Sequence, residues 1–107
     1  MNEHGRRSEK RVAKSMGMKL TPASGALPGA KGDFRDGTYL VEAKSTVKDS
    51  ISIKHAWLQK ISQEAMNTNR VPVLHISFVV GSGQAKSEGD WIAVPAWWWK
   101  AHKEAQD

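Results

Sequence analysis

The residues whose types and spacing can do chemistry lie between Lys31 and Ser45, in the stretch KGDFRDGTYLVEAKS. It holds Asp33, then Asp36-Gly37, then Glu42 and Lys44 with one alanine between them. Asp-Gly between two extended runs is a strong hairpin signal. A two-residue turn there sets Arg35 opposite Thr38, Phe34 opposite Tyr39 and Asp33 opposite Leu40. Strand side chains alternate, and residues directly opposite share a face. Asp33, Leu40, Glu42 and Lys44 are therefore expected on one side of the ribbon, with Asp33 and Glu42 diagonal neighbours about 7–8 Å apart at the backbone. A one-residue bulge would break this parity. Two carboxylates so placed can share a hard divalent cation, Mg²⁺ or Mn²⁺, through oxygen ligands. Such a cation polarises a phosphoryl oxygen and acidifies a bound water. A lysine beside it stabilises charge on the phosphorus or orients the water. The chemistry implied is metal-dependent hydrolysis.

These residues need elements to hold them. Residues 3–16 contain good helix formers and end near Gly17, a C-terminal stop. Their apolar stripe is thin, Val12, Ala13 and Met16, and stepping back by helical spacing lands on Glu9. A carboxylate on a core-facing stripe is costly unless paired or metal-bound. Glu9 is thus either a third carboxylate arriving under the hairpin or the partner of a basic neighbour on its own helix. Arg6, Arg7, Lys10, Arg11 and Lys14 fill the other faces. Residues 18–23 form a short strand stopped by Pro22. Residues 24–31 (SGALPGAK) form a loop of small residues that leads into Asp33. Such a backbone can approach a phosphate closely, or merely connect.

After the hairpin, residues 53–67 read as an amphipathic helix with Trp57, Leu58, Ile61 and Ala65 on one side. Residues 70–80 (RVPVLHISFVV) are apolar on both alternating sets, the mark of a strand covered on both faces. Strand, helix and buried strand make a βαβ unit with a right-handed crossover. Residues 81–90 (GSGQAKSEGD) lack a large apolar side chain and read as an exposed loop, followed by a short strand at 91–94. Pro95 suits the first turn of a last helix that runs through Trp97, Trp98 and Trp99 to about residue 104. Successive helical residues turn by about 100°, so three tryptophans cover most of the circumference. At least one is expected on a subunit interface or partner surface.

A chain of 107 residues with 39% hydrophobic and 25% charged residues is expected to be one soluble domain. It has no cysteine, which excludes disulfides, thiolate catalysis and cysteine-ligated zinc. No apolar run reaches membrane-span length and the first residues are polar, so a cytoplasmic protein without a signal peptide is expected. The net charge of +5 permits a polyanionic partner. His4, His55, His75 and His102 show no metal-ligand spacing, and His75 reads as a satisfied core histidine. Ser24 has no His/Asp partner nearby in sequence, and no phosphate-binding loop of the GxxxxGKS type occurs.

The order helix, strand, hairpin, helix, strand, with Gly32-Asp33 and Glu42-Ala43-Lys44 on the hairpin, resembles the PD-(D/E)XK nuclease superfamily. Within it the chain looks most like the archaeal-type Holliday junction resolvases and their phage relatives, over residues 5–95. Glu9 matches a metal-site glutamate of their first helix, and Ser24-Gly25 a serine-glycine pair whose serine belongs to the active site. Tyr39-Leu40-Val41-Glu42-Ala43-Lys44 resembles their catalytic strand, which usually has valine in the place of Ala43. Arg70-Val71-Pro72-Val73-Leu74, followed by Ile76 and Phe78, resembles their buried strand, and Trp91-Ile92-Ala93-Val94-Pro95 their last strand and turn. Gly32 replaces the proline of the superfamily's name. Lys10 replaces a basic residue that would carry the bidentate fork of an arginine.

The resemblance implies an α/β fold with a restriction-endonuclease-like core, a central mixed sheet flanked by helices in the order αβββαββα. It implies an Mg²⁺-dependent endodeoxyribonuclease, with Mn²⁺ able to substitute and no nucleotide cofactor. Asp33, Glu42 and Glu9 would hold the metal, Lys44 would be the catalytic lysine and Ser24 an auxiliary phosphate contact. Arg6, Arg7, Lys10, Arg11, Lys14, Lys31 and Arg35 would contact the DNA backbone. The partners would be branched or duplex DNA and a second copy of the chain, in the cytoplasm of a prokaryotic or phage-infected cell, with no membrane involved. Two active sites of a two-fold dimer would match opposed strands of a four-way junction. The rival readings are a nuclease of this fold acting on flaps, nicks or duplex, a DNA-binding module of the fold without chemistry, and a protein-interaction domain using the tryptophan helix.

Overall fold

Among the described residues, three helices accompany a five-stranded sheet. The computed structural model describes residues 3–20 and 34–106, with side chains for 8–19 and 34–106. The elements are α1 (Glu3–Ser15), β1 (Lys19–Leu20), β2 (Phe34–Arg35), β3 (Tyr39–Thr46), α2 (His55–Asn67), β4 (Val71–Val79), β5 (Ala85–Ala93) and α3 (Ala96–Gln106). This is the expected order of elements. The strands form one mixed sheet in the order β1-β2-β3-β4-β5, with β3 and β4 parallel and the other neighbours antiparallel. A parallel pair needs a crossover connection, and α2 supplies it.

Local chemistry sets the element ends. Gly17 takes φ 69° after α1, and the Met18 N–H reaches back to the Ala13 carbonyl at 2.8 Å. This is a glycine C-cap that returns the chain to the sheet. Asn69, at φ 56°, does the same for α2, and the Arg70 N–H meets the Ala65 carbonyl at 2.8 Å. Pro95 stands just ahead of α3, and its carbonyl accepts from the N–H groups of Trp98 and Trp99.

The core lies on both faces of the sheet. Val12 and Ala13 of α1 pack with Phe34, Val41 and Val73 on one face. Ile61 and Ala65 of α2 pack with Leu40 on the other. β4 is an interior strand between β3 and β5, with Pro72 to Ser77 all buried, as its doubly apolar sequence predicts. The turn of the β2–β3 ribbon and the stretch at 81–90 depart from expectation. Residues 85–90 are not a loop but the first part of β5, an edge strand antiparallel to β4. Residues 86–90 are polar apart from Gly89, the only buried residue of β5, and Trp91 and Ile92 are exposed, so this part lacks the alternating apolar set that identifies a strand. Charged edge strands of this kind resist pairing with other chains.

Candidate functional site

The turn of the β2–β3 ribbon is set by Asp36. Its carboxylate accepts the N–H groups of Thr38 at 2.8 Å and Tyr39 at 2.7 Å, and its own N–H donates to the Tyr39 carbonyl. Those backbone bonds, Tyr39 first, hold the Asp36 carboxyl below its ordinary value. The turn tip is therefore Gly37-Thr38, one residue later than expected. Arg35 lies opposite Leu40 and Phe34 opposite Val41, in place of Thr38 and Tyr39. Both strands shift together, so each residue keeps its face.

Leu40, Glu42 and Lys44 accordingly share the face that α2 covers. Glu42 and Lys44 line a small pocket of about 40 Å³ with Trp57, Lys60, Ile61 and Glu64 of α2. Lys44 Nζ lies 3.8 Å from Glu42 Oε1, with the two side chains 30% and 23% exposed. It also sits 4.4 Å from the centroid of the Trp57 ring. Glu64 pairs with Lys60 at 3.9 Å. Trp57, Lys60, Ile61 and Glu64 follow the i, i+3, i+4, i+7 spacing of one helix stripe. Lys60 and Glu64 were therefore findable as polar residues on the apolar side of α2, the same signal that singled out Glu9.

The other expected site residues fall differently. Asp33, Ser24 and Lys31 lie outside the described residues, as do the side chains of Arg6 and Arg7 on α1. Lys10 and Lys14 are exposed and Arg35 is half-buried. Glu9 is half-buried on α1. α1, which carries Glu9, packs through Val12 and Ala13 on the Val41 side, whereas Glu42 and Lys44 project toward α2.

Arg11, expected to contact phosphate, is hydrogen-bonded within the chain. Its terminal nitrogens form a fork on Asp90 at 2.7 and 2.9 Å, and Nε donates to the Gly83 carbonyl at 3.1 Å. Ser77 donates to Asp90 at 2.7 Å and lies 3.3 Å from His75 Nδ1. With its hydroxyl proton directed to Asp90, Ser77 accepts from a neutral Nδ1–H tautomer of His75. This cluster clamps α1 to β4 and β5 across the sheet. The Arg11 hydrogen bonds hold the Asp90 carboxyl below its ordinary value, and burial lowers the pKa of His75. His75 is 4% exposed and satisfied, as read from the sequence.

Carboxylate oxygen beside an ammonium suits a hard cation and an anionic substrate. Glu42 and Glu64 supply such oxygens on one pocket wall. Among the described residues, however, no group of three His, Cys, Asp or Glu side chains is placed to hold a metal ion. No described helix is long and apolar enough to cross a membrane. Compared with protein-family models, with curated proteins and with solved structures, the chain matches none.

Proposed function

We propose that the protein is a metal-dependent DNA endonuclease with a restriction-endonuclease-like core, acting in the cytoplasm as a homodimer on branched DNA, with the four-way junction as its preferred substrate. The observation that carries this reading is the Glu42–Lys44 pair, side by side on one face of the strand that opens the parallel crossover. The element order, helix, three antiparallel strands, helix and parallel strand, supports it.

Asp33 and Glu42 are the proposed ligands of an Mg²⁺ or Mn²⁺ ion, which when bound would supply Lewis acidity and an activated water. The proposal requires Asp33 to continue the register of Phe34 and Arg35 by one residue. Lys44 offers its ammonium to the charge that develops on the phosphoryl oxygens. Ser24 and Lys31 are proposed phosphate contacts. Arg6, Arg7, Lys10, Lys14 and Arg35 are proposed contacts to the DNA backbone, which position a branched substrate without reading base edges.

The test is cleavage of a synthetic four-way junction, with flap, nicked and linear duplexes alongside. Cleavage of the junction with Mg²⁺ and none with chelator is expected. Absence of cleavage on every substrate, with Mg²⁺ and with Mn²⁺, would remove the reading. A second reading is a DNA-binding subunit of the same fold without chemistry. Calorimetric titration with Mn²⁺ separates the two, since only the nuclease requires a bound ion.

A further inference from the structure

Trp57 lies one turn before Ile61 on α2, half-buried against β3. Lys44 Nζ is 4.4 Å from its ring centroid and 3.8 Å from Glu42 Oε1, and Lys54 Nζ is 5.9 Å from the same centroid. An ammonium over an indole face is attracted by the negative face of the ring, more strongly as water is withdrawn. Lysine has a flexible four-carbon stem, so one anchor leaves its charge free to swing. Glu42 is a poor sole anchor in the proposed site: a carboxylate that takes up a divalent cation no longer attracts a neighbouring ammonium. The pull of the ring does not depend on the charge of Glu42.

We infer that Trp57 is the positioning residue for Lys44, holding its ammonium beside Glu42 whether or not that carboxylate carries a cation. The catalytic consequence rests on the nuclease reading; the seating of the lysine does not. Two measurements test them separately. In ¹H–¹³C spectra, assigned with Lys44→Met, the Lys44 side-chain methylene protons should be shifted upfield by the ring. They should stay so on addition of Mg²⁺, lose the shift in Trp57→Leu and keep most of it in Trp57→Phe. Lys44 methylenes at unperturbed positions in the wild-type protein would overturn the inference.

In junction cleavage, Trp57→Leu should lower kcat about tenfold, the worth of a partly desolvated cation–π contact. KM should change by less than about twofold, as expected when an interaction made in the transition state is removed. Trp57→Phe should restore most of the rate. Unchanged kcat in Trp57→Leu, or a raised KM with unchanged kcat, would overturn the positioning role. A wild-type protein that cleaves nothing would remove the nuclease reading and with it the catalytic consequence, while the methylene shifts would still decide the seating.

Discussion

At the scale of residues, the two best-defined polar constellations have opposite characters. Glu42, Lys44 and Trp57 border a pocket and are partly exposed, whereas Arg11, Asp90, Ser77 and His75 are tied to one another. Arg11→Met should therefore act on stability. Hydrogen bonds to charged groups are worth about 1.5–3 kcal/mol each, and partial exposure screens the pair, so a loss of about 1–3 kcal/mol is expected by denaturant unfolding. The cluster also sets a pH dependence. His75 has a folded pKa below its ordinary 6.5, so on acidification the unfolded chain takes up that proton first. Its contribution is complete above 6.5 and declines as pH falls toward the folded value. Asp90, also lowered, adds stability above its ordinary 3.8 that is lost as pH falls through its folded value. Thermal melts between about pH 7 and about pH 5 should show Tm falling with acid, the window in which an unperturbed histidine titrates. His75→Asn should flatten that slope. The Arg11–Asp90 fork was not legible in the sequence, because it depends on which elements meet across the sheet. The spacing of Glu42 and Lys44 was legible, because alternation along one strand needs no tertiary information.

At the scale of elements, the ribbon shows what a turn signal does and does not specify. Asp36-Gly37 located the turn, but the side-chain bonds of Asp36 to Thr38 and Tyr39 chose Gly37-Thr38 as its tip. Faces survived because both strands moved by one residue, whereas the opposed pairs changed. β5 was misread for a different reason. Its partner β4 supplies the buried apolar side chains, and the first part of β5 supplies backbone and polar surface. Gly89 is what this pairing demands. A Cβ there would lie 2.4 Å from the Phe78 carbonyl oxygen and 2.7 Å from that of Lys86, and both are backbone atoms that no rotamer can move. Gly89→Ala should cost about 1–3 kcal/mol, the usual range for forced overpacking, read as a lower denaturant midpoint. The helices were legible to within two residues of their observed starts and ends, since their stripes and the stop at Gly17 are local features.

At the scale of the whole molecule, charge and the tryptophans bear on the proposed association with DNA and with a second copy. The chain carries +5. Five or more phosphate contacts would give log K against log salt a slope of about −4 or steeper, measured by fluorescence anisotropy on a labelled junction. α3 has no buried residue, and Trp97 and Trp99 are 59% and 58% exposed, while Trp98 turns inward against Tyr39 and His102. Exposed aromatics at this density are enriched at contact surfaces, and the proposed dimer would use them. Sedimentation should show a dimer for the wild-type protein and a monomer for the Trp97→Ser/Trp99→Ser double variant. The account as a whole stands on the acid face of the ribbon, and one substitution addresses it most directly. Single-turnover cleavage of a four-way junction by Asp33→Asn should fall by at least about a thousandfold, because the proposed ion loses a ligand worth several kcal/mol, with junction affinity largely kept. Turnover retained by Asp33→Asn at near wild-type rate would contradict the account.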